Sequence, residues 1–224
     1  MHTLKHLVII PDGNRRWAKN HNVRNSYGHK EGYNRIKEII TSVKKKKIPF
    51  LTIWAFSTEN WKREKREVGD IFSLIKQGLS EIHNIAKKEK TRVVHIGRRD
   101  RVSKDVLALI KTVEEETKQF HTFCLCIAID YGGEDEVRRA EKLFLESRHK
   151  NKSIVDFLDT SLAGIPNPDI IIRTGGEKRT SGFMPLQSSY AEYFFSDTLF
   201  PDFTTKELDA VLEGYTLRER RFGK

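Results

Sequence analysis

The chain has 224 residues, 38% of them hydrophobic and 32% charged, and a formal net charge of +10. That length fits one α/β domain with a core of its own. No apolar run approaches the ~20 residues that span a bilayer and the start lacks the apolar segment of a secretory signal, so neither an integral membrane protein nor an exported one is expected.

The expected location is the cytoplasm, at most peripheral at a membrane. The 41 Lys and Arg against 31 Asp and Glu favour an acidic partner: nucleic acid, an anionic membrane surface or a phosphorylated small molecule. Cys124 and Cys126 lie two apart in a strand-like run and so share a face; they read as buried, reduced thiols rather than part of a zinc cage.

The first predicted strand is the apolar run Leu7–Ile10, stopped by Pro11 and Gly13 and followed at once by Asp12, Asn14, Arg15 and Arg16. In α/β sheets ligands collect where strands hand over to helices. Asp12 could hold a hard cation there and the arginines a phosphate, although Pro-Asp-Gly-Asn is also a common surface turn.

Gly28 to Lys46 carries Ile36, Ile39, Ile40 and Val43 at helical spacing. Lys44–Lys47 then read as its solvated end or as a docking patch. Phe50–Phe56 is rich in strand formers and runs into Ser57-Thr58-Glu59-Asn60-Trp61, a second polar strand end.

Glu67 to about Lys90 is the longest helical segment, with Ile71, Phe72, Ile75, Leu79, Ile82 and Ala86 on one stripe that packs a core or lines an apolar tunnel. Further on come a strand at Arg92–Ile96, a helix at Lys104–Lys118, a strand at Phe123–Ile129 and a helix at Glu134–Ser147. Asp169–Ile172 is a fifth strand, ending in the charged turn Arg173–Arg179. Tyr190–Phe195 reads as a last strand bearing Glu192, and Thr204 or Thr205 can cap a final helix through Leu208, Val211 and Leu212. The tail from Arg218 is short and basic.

No repeat, low-complexity segment or linker divides the chain, so residues 1–224 read as a single domain. The alternation of strands and helices implies a central, mostly parallel sheet flanked by helices on both faces.

The strand ends place Asp12, Asn14 and Arg16, then Ser57, Asn60, Trp61 and Arg63, then Arg173, Arg179 and Ser181 after strands, and the last strand adds Glu192. Carboxylates among arginines suit a metal–diphosphate site, because Mg²⁺ takes few protein oxygens and arginine clamps phosphate in a bidentate way. His29, at a helix start, could touch an anion or serve as a capping or surface residue. The glycine turns fit neither the P-loop nor the dinucleotide fingerprint.

The blocks Pro11–Ala18, Tyr27–Gly32, Ala55–Arg63, Ile171–Arg179 and Tyr190–Phe195 resemble, in order, the signature blocks of the cis-prenyltransferases, the undecaprenyl diphosphate synthase family. The likeness runs from about Leu7 to Gly223. It implies that family's fold, with an apolar tunnel beside the sheet walled by the long helix and the strand Phe123–Ile129. It also implies Mg²⁺-dependent condensation of isopentenyl diphosphate with an allylic diphosphate, farnesyl or geranyl diphosphate, by a homodimer whose product partitions to a membrane, with no nucleic acid partner.

Carried over by position, the resemblance makes Asp12 a catalytic and metal-binding carboxylate and Gly13–Arg16 a loop that wraps the allylic diphosphate. Trp17 and His29 become substrate contacts. Asn60 assists proton or diphosphate movement, with Ser57, Thr58, Glu59, Trp61 and Arg63 beside it. Arg173, Arg179, Thr180 and Ser181 take the isopentenyl headgroup, Glu192 is the second metal-associated carboxylate, and Arg221 and Gly223 form the C-terminal Arg-x-Gly that reaches into a partner's site.

Pro11, Asn25, Asp130, Glu134 and Leu186 depart from the usual pattern. Pro11 and Phe183–Leu186 point toward the lavandulyl-type branch, which joins two allylic units head to middle, whereas Asn14 and the Ser57–Trp61 block look like chain elongation. A non-catalytic subunit or a basic binding module is the alternative of another class, against which Asp12, Glu192 and Arg221 are all present.

Overall fold

The first strand, β1 (His6–Ile10), is buried at every position, the pattern of a parallel strand covered on both faces. In the computed structural model, which describes residues 4–147 and 151–217, β1 lies inside one six-stranded sheet. The others are β2 (Phe50–Ser57), β3 (Thr91–Ile96), β4 (Phe123–Tyr131), β5 (Ile170–Arg173) and β6 (Glu192–Phe195), ordered β3-β4-β2-β1-β5-β6. Every neighbouring pair is parallel, so the sheet is wholly rather than mostly so.

Side chains alternate between the faces with the period of two that a pleated strand imposes. Leu7 and Ile9 join Leu51, Ile53, Ile170 and Ile172 on the first face, under helices α2 (Asn25–Lys45), α3 (Lys65–Ala86) and α7 (Thr205–Thr216). Val8 and Ile10 join Cys124, Cys126 and Ile171 on the second, against Tyr131, Phe183 and Met184. The helix α4 (Lys104–Thr117) closes the β4 side by packing Val106 and Ile110 against Phe56, Ile71 and Ile129.

Both cysteines are buried and unbridged, and burial pushes the Cys124 thiol up to about 11. Thr204, one of two caps the sequence allows, takes the Glu207 N–H at 3.2 Å, and Glu207 accepts the Thr204 N–H at 3.0 Å in return.

Two buried polar groups stand out. His6 has Nδ1 2.7 Å from the Pro166 carbonyl and Nε2 2.7 Å from Thr52 Oγ1, and burial lowers its pKa to about 4. On the second face Glu136, from α5 (Gly133–Glu146), accepts Gln187 Nε2 at 2.9 Å, Asp159 N–H at 3.0 Å and the Tyr131 hydroxyl. Burial raises its pKa.

Asn14, Arg15 and Arg16, expected within the loop Gly13–Arg16, instead open the helix α1 (Asn14–Asn20), and Asp159–Leu162 form the short α6. Helix α2 lies so close to α1 that a Cβ on Gly28 would come within 2.1 Å of the Asn14 carbonyl oxygen, so only glycine fits there. Among the described residues no helix is long and apolar enough to cross a membrane.

Candidate active site

Because all six strands run the same way, their C-terminal ends face one side, and three adjacent ends build the polar part of the site. β1 delivers Asp12, β2 delivers Ser57–Asn60, and β5 ends in Arg173, which is in register with Ile10.

Arg173 is 6% exposed, and its Nη2 donates to Asp12 Oδ2 at 2.8 Å. Nη1 donates to Ser181 Oγ at 2.8 Å and to the Arg179 carbonyl at 2.6 Å. Arg16 Nη2 holds the other oxygen of Asp12 at 3.1 Å. The pairing demands glycine next door: at Gly175, φ +83°, a Cβ would sit 2.6 Å from Arg16 Nη2 and 2.9 Å from the Asp12 carbonyl oxygen. Asn60 closes the β2 end, its Oδ1 accepting the Ser57 N–H at 3.1 Å, while Ser57 Oγ donates to Glu59 at 2.8 Å.

These groups form the mouth of a cavity of about 1470 Å³. Asp12, Gly13, Asn14, Arg15 and Arg16 line it from β1 and α1, and His29 from α2. Ser57, Glu59, Asn60 and Arg63 line it after β2, and Arg173 and Ser181 after β5. Below the mouth the walls turn apolar: Ile53, Leu125 and Ile127 from the sheet, Ile36 and Ile40 from α2, and Ile71, Ile75, Leu79 and Ile82 from α3. Thus α3 and β4, the expected tunnel walls, are joined by α2 and β2. The seam between α2 and α3 is polar, with Tyr33 and Lys37 on Glu81, and Lys44 on Glu89.

Several expected site residues sit off this cavity. Trp17 donates its indole N–H to Asp202 at 2.8 Å and stacks on His21. Trp61 packs with Phe56 and Phe72 and donates to Asp130 at 2.9 Å. Thr58 donates to Glu59 at 2.8 Å, Arg179 points outward onto Glu177, and the Thr180 carbonyl receives the Phe183 N–H at 3.0 Å.

Glu192 pairs in register with Ile170, three residues before the Arg173–Phe195 pair. That places it roughly 10 Å down the strands, at ~3.3 Å per residue, and two strands across from Asp12. Within one chain the two carboxylates do not meet. Arg221 and Gly223 lie outside the described residues.

One residue of the site escaped the sequence reading. Glu67, in the first turn of α3, is 9% exposed and lies behind the mouth. Its Oε1 accepts Arg63 Nη1 at 3.1 Å, faces His29 Nε2 at 3.2 Å and lies 3.8 Å from Arg15 Nε, while Oε2 accepts Asn25 Nδ2 at 3.3 Å. Burial alone would raise its pKa, but the His29 bond and the Arg63 and Arg15 charges outweigh it and hold the carboxyl below its ordinary value. Burial lowers His29 against the pull of Glu67.

Among the described residues no three His, Cys, Asp or Glu side chains gather into a metal cage. Asp12 beside guanidiniums fits a different arrangement, in which Mg²⁺ takes one or two carboxylates and completes its shell from phosphate and water.

The family model for undecaprenyl diphosphate synthase matches residues 10–223. The chain is 41% identical to an isoprenyl transferase of Treponema denticola, covering 98% of this chain and 97% of that one, and 39% identical to the Helicobacter pylori enzyme, covering 99% and 97%. Among solved structures it superposes on lavandulyl diphosphate synthase from Lavandula x intermedia, in complex with dimethylallyl diphosphate, with TM-score 0.93, 30% identity and 99% of each chain covered. A probable undecaprenyl diphosphate synthase from Campylobacter jejuni gives TM-score 0.84 at 35% identity, with 100% of each chain covered.

Proposed function

Because the chain belongs to the undecaprenyl diphosphate synthase family of prenyltransferases, we propose that it condenses isopentenyl diphosphate with an allylic diphosphate, farnesyl or geranyl diphosphate, into a cis-polyprenyl diphosphate. One observation carries this reading: a single cavity joins a mouth of arginines to an apolar shaft, the complement of a diphosphate head on a hydrocarbon tail.

Arg173, fixed by Ser181, and Arg16 hold Asp12 between them, and they are placed to take diphosphate oxygens in bidentate fashion. Asp12 is the carboxylate that would hold Mg²⁺ together with the diphosphate, and a metal bound there would supply neutralisation of the leaving group's charge. As the allylic C1–O bond breaks and diphosphate departs, C4 of isopentenyl diphosphate bonds to C1 and a proton leaves C2. The arginines stabilise the growing negative charge without reorganising. Asn60, its oxygen committed to the Ser57 N–H, offers its amide N–H groups to a diphosphate. The α2–α3 shaft receives the lengthening tail and keeps water from the reacting carbons.

Arg221 and Gly223 enter this scheme through a second copy of the chain, as a homodimer in which the C-terminal Arg-x-Gly serves its partner's mouth. The finished tail is apolar along its length, so the product leaves for a membrane.

The TM-score of 0.93 to the lavandulyl enzyme favours a second reading, head-to-middle joining of two dimethylallyl units to a branched ten-carbon product. Cavity size weighs against it: about 1470 Å³ exceeds the ~300–1,000 Å³ of ordinary small-ligand pockets and is far more than ten carbons need.

Incubation with Mg²⁺, labelled isopentenyl diphosphate and farnesyl or geranyl diphosphate should give extractable products rising in five-carbon steps by mass spectrometry. A branched ten-carbon product from dimethylallyl diphosphate alone would favour the second reading. No labelled product from either feed would refute both.

A further inference from the structure

Arg15, Asn25, His29 and Arg63 line the mouth from three separate elements: α1, the first turns of α2 and the segment after β2. All four converge on one carboxylate that does not itself line the cavity. The geometry points to Glu67 as a positioning residue that sets these groups for a diphosphate. This inference rests on the diphosphate reading of the mouth.

Two guanidiniums brought this close repel one another unless a countercharge sits between them. Without it the long arginine side chains would spread into solvent, and each would have to be ordered again when an anion bound. Glu67 also fixes the imidazole: with Nε2 facing Oε1, the neutral ring carries its proton there and turns Nδ1 elsewhere.

The carboxylate has an opposing effect, since its own charge repels diphosphate. Glu67 lies behind the wall and three nitrogen-bearing side chains surround its Oε1, so the repulsion that reaches the mouth is largely cancelled. The loss of orientation should dominate.

The test is calorimetric titration of the full chain with inorganic diphosphate in Mg²⁺ buffer, for the wild type, Glu67→Gln and Asn25→Ala, with the His29 imidazole followed by NMR across pH. Glu67→Gln should bind diphosphate about tenfold more weakly or worse, and its His29 should titrate at lower pH, because the lost carboxylate raises that pKa in the wild type. Asn25→Ala, which untethers Oε2, should move both readouts the same way by less.

Diphosphate binding by Glu67→Gln as tight as wild type, or tighter, overturns the inference, as does an unmoved His29 titration. Should Glu67→Gln not fold, unchanged affinity in Asn25→Ala overturns it instead. A wild type that binds no inorganic diphosphate defeats the diphosphate reading itself, and the inference with it.

Discussion

Glu67 and Glu136 are both buried glutamates in the first turn of a helix, on opposite faces of the same sheet, and their surroundings send them different ways. Glu67 meets Arg63, Arg15 and His29, which hold it charged. Glu136 meets a hydroxyl, a side-chain amide and a backbone N–H, and burial pushes its pKa up. The first arrangement exposes cations to a cavity; the second consumes every partner internally and ties β4, α5 and the segment around Gln187 together. A buried carboxylate thus marks function or architecture according to whether its partners have a second face to offer.

Separate substitutions should pull the two regions apart. At the mouth, Asp12→Ala should lower turnover about 10³-fold or more, as removal of a group acting on the developing charge does, in a chain that still folds but with a lower urea midpoint, because the buried Arg173 loses its countercharge. Retained turnover would remove Asp12 from the chemistry.

On the other face, Glu136→Ala should strand the Tyr131 hydroxyl and the Gln187 amide and cost about 4 kcal/mol of stability. Chemical denaturation measures that loss, and affinity for inorganic diphosphate in the folded fraction should be unchanged. A weakened affinity would show that the two faces are coupled.

The smallest effect is set by pH through His6. Its folded pKa of about 4 lies below the ordinary 6.5, so the unfolded chain takes up the proton first. Stability is therefore full above pH about 6.5 and falls by up to about 3 kcal/mol as the pH drops toward 4. Denaturant titrations at several pH values should give that slope, and His6→Gln should flatten it.

Much of this was legible in the sequence. The strands announce themselves as apolar runs ended by Pro, Gly or charge, and α2, α3, α4, α5 and α7 carry their stripes at helical spacing. Helix α1 was hidden because Asn-Arg-Arg-Trp-Ala-Lys-Asn has no apolar period, and it is held by packing on α2 rather than by its own pattern.

Trp61 sits within a polar block but turns its ring onto Phe56 and Phe72, a direction that only the local backbone decides. Glu192 lies within a strand-like run, yet strand register puts it below the level of Asp12. Glu67 could not be seen at all: three of its partners lie four, 38 and 42 residues away, and only the first shares its local sequence.

The register that pairs Ile10 with Arg173 also has a consequence for synthesis. Domains begin to fold from the N-terminus as they are made, so Asp12 and Arg16 leave the ribosome long before Arg173 exists. A nascent or prematurely terminated chain can form only its first β–α units, and its mouth is incomplete until β5 pairs with β1. The polar mouth is therefore completed in one late step of synthesis.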